Sequence, residues 1–86
     1  MNEAELVDLL YKRHKKLMLN AKEASLEWGS SYSALNKLFG GENALSDKII
    51  LEKKIIPKWI KIGNKRMWKL TDIANWMLNT EEVIND

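Results

Sequence analysis

The sequence predicts a small, mainly α-helical domain with one β-hairpin near its C-terminal end, and three observations predict it. Apolar residues recur at helical spacing in separate stretches before residue 40, each preceded by an Asn or Ser that can cap a helix. From Ile56 onward, in "IPKWIKIGNKRMWKL", isoleucine and tryptophan instead alternate with lysine on both sides of a Gly-Asn pair, the two-residue period of a half-buried strand pair. Finally, 86 residues without cysteine make one domain, residues 1–86, whose limited core rests on a few large side chains rather than on disulfides.

The first helix spans residues 3 to about 18. Asn2 caps it, Glu3, Glu5 and Asp8 suit its positive end, and Lys12, Arg13, Lys15 and Lys16 suit its negative end. Leu6, Val7, Leu10, Leu17 and Met18 form its buried stripe. His14 lies beside that stripe and, as the single histidine of a chain without cysteine, has no partners for the usual metal cluster, so it is a structural or surface residue.

Residues 20–39 form two short helices around a tight turn. Asn20 followed by Glu23 fits a capping box, in which each side chain satisfies the other residue's free backbone N–H. The helix starting at Ala21 reaches Trp28 before Gly29, whose missing Cβ permits a left-handed exit. "SS" then caps a third helix that buries Leu35, Leu38 and Phe39 and is closed by Gly40 and Gly41. Its outward side carries Tyr32, Ser33, Asn36 and Lys37. Asn can bridge an adenine edge, Ser and Tyr can hold phosphate oxygens, and Lys neutralises charge. The segment after it reads as a short helix from about 46 to 53 with Ser46 as cap, although "KIIL" and "KKII" also suit strand.

Pro57 opens the hairpin of residues 57–70. A three-residue loop, Gly63-Asn64-Lys65, sets Ile62 opposite Arg66 and Ile60 opposite Trp68. That register gathers Ile60, Ile62, Trp68 and Leu70 on a buried face, leaves Lys61, Met67 and Lys69 outside, and puts Lys65 and Arg66 at the tip. A two-residue Gly63-Asn64 loop splits the apolar set, so burial favours the longer one. Trp28, Trp68 and Trp76 are then core, and Trp59 falls outside. A closing helix, residues 71–79, is capped by Thr71, carries Asp72 in its first turn and buries Ile73, Trp76 and Met77; the polar tail "NTEEVIND" frays.

Charge is distributed unevenly. Residues 48–69 carry eight Lys/Arg against one acid, whereas residues 70–86 carry four acids and no base. A basic block between acidic ends offers one face to an anionic partner, of which nucleic acid is the commonest. No apolar run exceeds four residues, against the roughly 20 needed to cross a bilayer, and "MNEAELVD" is acidic where a secretory leader is basic. A soluble, cytoplasmic protein without membrane contact is expected. With His14 isolated, no phosphate-cradling glycine loop and acids that helix dipoles explain, no catalysis, cofactor, metal or small-molecule substrate is expected.

The order of these elements resembles the AlpA and excisionase-like family, small phage and mobile-element DNA-binding proteins related to the MerR-type winged helix. The resemblance rests on "NAKEAS", "WGSSYSALNKL", "IPKWIKIGNKR" and "DIANW" in that order, about Leu19 to Leu78. The chain departs from the family in Trp28 and Ser30 at the turn, in the longer path "GGENALSDKII", and in its extra N-terminal helix, residues 1–18. The resemblance implies a winged helix-turn-helix that binds double-stranded DNA, either bending attachment sites for an integrase or regulating transcription, with an integrase or further copies of the chain on repeated sites as partners. It places Ser31, Tyr32, Ser33, Asn36 and Lys37 in or beside the major groove, and Lys61, Asn64, Lys65 and Arg66 on backbone or minor groove. The alternative is a small adaptor or inhibitor whose basic hairpin grips an acidic protein.

Overall fold

The computed structural model describes the backbone of residues 1–85 and the side chains of residues 1–79. In chain order its elements are α1 (Glu3–His14), β1 (Met18–Asn20), α2 (Ala21–Glu27), α3 (Tyr32–Gly40), α4 (Asp47–Glu52), β2 (Ile60–Ile62), β3 (Lys65–Lys69) and α5 (Leu70–Asn85).

Short-range side-chain chemistry decides where four of the helices begin. The Asn2 and Asn20 side-chain oxygens each accept from the backbone N–H three residues on, both at 2.8 Å, and Glu5 and Glu23 return the contact as capping boxes. Ser31 and Ser46 cap α3 and α4 through the N–H groups of Ala34 and Ile49. Such a cap contributes about 1 kcal/mol. Helix α2 stops in a Schellman turn: Ser30 N–H reaches the Ser25 carbonyl, Gly29 N–H reaches that of Leu26, and Gly29 takes the left-handed φ of 72° that this turn requires. The same pair of bonds ends α4, from Ile55 to Ile50 and from Lys54 to Leu51, but there the left-handed residue is Lys54, φ 52°.

Three boundaries differ from the expected ones. Helix α1 ends at His14, because Lys15 turns left-handed (φ 58°) with its N–H on the Tyr11 carbonyl. The chain is then extended, so Met18–Asn20 becomes a strand rather than the end of a helix, and Leu17, expected in the buried stripe, is 71% exposed. At the other end, α5 begins at Leu70 without waiting for Thr71 and runs to Asn85, through the tail of residues 79–86 expected to fray; the side chains of residues 80–86 lie outside the described residues.

The sheet is antiparallel in the order β1-β3-β2. Its hairpin corrects the expected register. Ile62 pairs with Lys65, Lys61 with Arg66 and Ile60 with Met67, so the loop is the two residues Gly63-Asn64. Of these, Gly63 alone takes a positive φ (64°), the pattern of a type II′ turn, whose twist matches that of the flanking strands. Because side chains alternate, Lys61, Arg66 and Trp68 share one side of the hairpin while Ile60, Ile62, Met67 and Lys69 share the other. The apolar set is split after all: Trp68 is fully buried and Ile62 is 51% exposed.

Aromatic volume explains why this register wins. Trp68, paired across the sheet with the buried Leu19, sits between Trp28 at 5.9 Å and Trp59 at 6.0 Å between ring centroids. Trp28 continues to Trp76 at 6.2 Å, and Trp59 to Phe39 at 5.1 Å with near-perpendicular planes. Each such pair adds about 0.5–1.5 kcal/mol beyond its buried area. Trp59 is therefore half-buried against the core, not outside it. The Trp68 indole N–H donates to the Pro57 carbonyl at 2.9 Å, and that of Trp76 to the Lys54 carbonyl at 2.8 Å. Helix α1 lies along α5 and closes the fold.

Acid tests one cap directly. The Lys16 ammonium, 2.6 Å from the Glu23 carboxylate, and the Asn20 N–H hold that carboxyl below its ordinary value near 4.5. A folded-state pKa below the unfolded one gives stability that is present above the unfolded value and lost as pH falls through the folded one. The melting temperature is expected to fall as pH drops below about 4.5, and Glu23→Gln, already missing the charge, to show a shallower fall in a thermal melt series. Parallel acid limbs for the two proteins would remove Glu23 from this role.

Candidate nucleic-acid interface

Helix α3 and the hairpin tip meet at a cleft of about 380 Å³. On α3, residues 32, 35, 36 and 39 share one face, and Tyr32, Leu35, Asn36 and Phe39 all line the cleft. Asn64, Lys65 and Arg66 line it from the hairpin, and Asn20, Ala21 and Lys22 from the start of α2. No lining residue is acidic. Three carboxamides, a phenol and three cationic side chains thus border one concave surface, where they can donate to phosphate oxygens or meet base edges.

Of the nine residues singled out in the sequence, the fold brings Tyr32, Asn36, Asn64, Lys65 and Arg66 together in this cleft and leaves four beside it. Ser31 spends its hydroxyl on the Ala34 N–H, 3.1 Å away. Ser33 and Lys37 are exposed on the neighbouring stripe of α3. Lys61 is exposed on β2, its ammonium 3.7 Å from the Asp47 carboxylate.

Arg66 is placed differently from the expectation of a free tip residue. The hairpin register turns it to the Trp68 side, where its guanidinium lies 3.7 Å over the centre of the Phe39 ring and 5.8 Å from that of Trp59. One Nη2 hydrogen bond goes to Asp47 at 3.3 Å, while Nε is buried without a partner. Phe39 is accordingly the platform of the cleft as well as a core residue. Asp47, which begins α4 behind the cleft, faces both Arg66 and Lys61. Sequence reasoning missed Asn20, Lys22, the platform role of Phe39 and the position of Asp47. The capping box locates Asn20 at the start of α2, but nothing local brings that start, or Asp47, up to the hairpin.

Two further groups are resolved. His14 is structural: Nε2 lies 3.0 Å from Glu27 Oε1, and Arg13 Nη1 meets both oxygens of that buried carboxylate at 2.6 Å. The basic block is also not one surface. Lys65 and Arg66 border the cleft just described, whereas Lys53, Lys54 and Lys58 line a separate groove against α5. Among the described residues no helix is long and apolar enough to cross a membrane. Compared with family models, curated proteins and solved structures, the chain matches none.

Proposed function

We propose that the chain is a non-catalytic, sequence-specific binder of double-stranded DNA, working in the cytoplasm as a winged helix-turn-helix. In this reading α2 and α3 are the helix-turn-helix, α3 enters the major groove, and the β2–β3 hairpin is the wing. Asn36 and Tyr32 read or approach base edges. Lys65, Arg66 and Asn64 hold phosphates, with Lys22, Lys37 and Lys61 supporting from the rim. One observation carries the proposal: α3 and the hairpin tip turn their polar side chains into the same acid-free cleft, so one duplex can meet both. The role follows the family resemblance, an excisionase-like factor or a transcriptional regulator, with an integrase or further copies of the chain on repeated sites as partners.

A salt titration on generic duplex tests the reading. If about three to five cations meet phosphates, log affinity falls against log salt with a slope of about −3 to −4.5. Lys65→Ala is expected to weaken all sequences alike, while Asn36→Ala costs about 1–3 kcal/mol chiefly on the preferred site. Undetectable duplex binding at low salt, together with capture of an acidic protein by the hairpin, would replace this reading with the adaptor.

A further inference from the structure

The groove between the 53–58 segment and α5 has about 620 Å³ and shares no lining residue with the first cleft. The aromatic series separates the two: Phe39 lies under Arg66 at one end, and Trp76 lines the groove at the other. Its floor is apolar. Ile55 is 37% exposed, Ile56 is buried beside it, and the Trp76 indole, its N–H already committed to the Lys54 carbonyl, has only ring surface left to offer.

The rim is cationic. Lys53 and Lys54 have no ion pair among the described residues, and Lys58 has only the Asp72 carboxylate at 3.6 Å. On α5, Asn75 and Asn79 bond to each other at 3.1 Å and keep further amide capacity. Lys54 adds a separate sign. It occupies the left-handed position that Gly29 occupies in the matching turn of α2, where a side chain is disfavoured and glycine is the usual choice. A lysine that lines the groove thus stands where the backbone favours glycine.

We propose that this groove binds an acidic segment of a partner protein, an extended or helical stretch that inserts one bulky apolar side chain over Trp76 and sets carboxylates against Lys53, Lys54 and Lys58. The chemistry favours a peptide over nucleic acid. The apolar floor of Ile55, Ile56 and the Trp76 ring gains from a buried hydrocarbon side chain, which a phosphate backbone lacks.

The test is an amide NMR titration of the full chain with a short synthetic peptide of glutamates around one central leucine, with the glutamine version as control. The expected result is saturable shifts at residues 53–58 and at the Trp76 indole N–H, from the acidic peptide alone. Lys54→Gly is the telling variant. It is expected to melt higher, because glycine adopts the left-handed turn freely, and yet to bind the peptide about two- to five-fold more weakly. Lys65→Ala leaves this binding unchanged, so the result stands or falls separately from DNA binding. Shifts centred on Lys65 and Arg66, equal response to the neutral peptide, no shift at millimolar peptide, or unaltered affinity in Lys54→Gly would each overturn the proposal. So would groove signals that move on adding duplex instead, which would make the surface a nucleic-acid contact.

Discussion

Trp68→Ala is expected to destabilise the protein by about 3–5 kcal/mol, a large part of its total stability. The total available to 86 residues is of the order of 4–13 kcal/mol at about 0.05–0.15 kcal/mol per residue. Trp68 is fully buried, touches both Trp28 and Trp59, and pairs across the sheet with Leu19. Its removal also strands the Pro57 carbonyl, which accepts from the indole, at about 1 kcal/mol or more for a buried acceptor. Urea unfolding followed by far-UV circular dichroism measures the loss. Trp68→Phe, which keeps most of the area but not the N–H, falls between wild type and Ala. A loss under about 1 kcal/mol for the alanine variant would be that of a surface site and would contradict the described core.

Arg66 and Asp47 give the second large effect, with opposite signs on DNA. Arg66→Ala removes a charged donor from the cleft, and a hydrogen bond to a charged group contributes about 1.5–3 kcal/mol, so affinity is expected to fall roughly ten-fold or more on every sequence. The salt slope becomes shallower by about 0.9. Asp47→Asn acts the other way. Its carboxylate now draws on Arg66 and Lys61 together, and neutralising it frees both cations for phosphate, tightening binding about two- to five-fold. Fluorescence anisotropy on one labelled duplex at two salt concentrations reads both variants. Weaker binding by Asp47→Asn would mean that the carboxylate aligns Arg66 over Phe39 rather than competing for it.

These two residues also mark where sequence reasoning stops. The capping boxes at Asn20 and the Ser caps at 31 and 46 were legible because each is completed within three residues. So was the outward set on α3, since Tyr32 and Asn36 follow from one buried stripe. The hairpin register was not. Counting apolar residues puts Ile60 and Ile62 inside, but a single indole displaces more water than either, and the face holding Trp68 and Trp59 takes the core. Arg66 follows that face inward only because Phe39, from a distant helix, lies beneath its guanidinium. Strand β1 was illegible for a similar reason: Met18–Asn20 is extended because β3 supplies its partner, and no residue nearby announces it. The uniform basic block of residues 48–69 came apart because charge along a chain carries no information about whether a lysine will face α3, as Lys65 does, or α5, as Lys58 does.

The strand order has a bearing on how the chain matures as it is synthesised. The middle strand, β3, is made late, yet β1 depends on it, and α1 likewise lies along α5. The α2–α3 turn and the hairpin involve near neighbours and can each form as soon as they are made, whereas joining residues 18–20 to 67–69 closes a long loop and comes last. On the ribosome α1 therefore waits, its apolar side uncovered, until α5 has emerged.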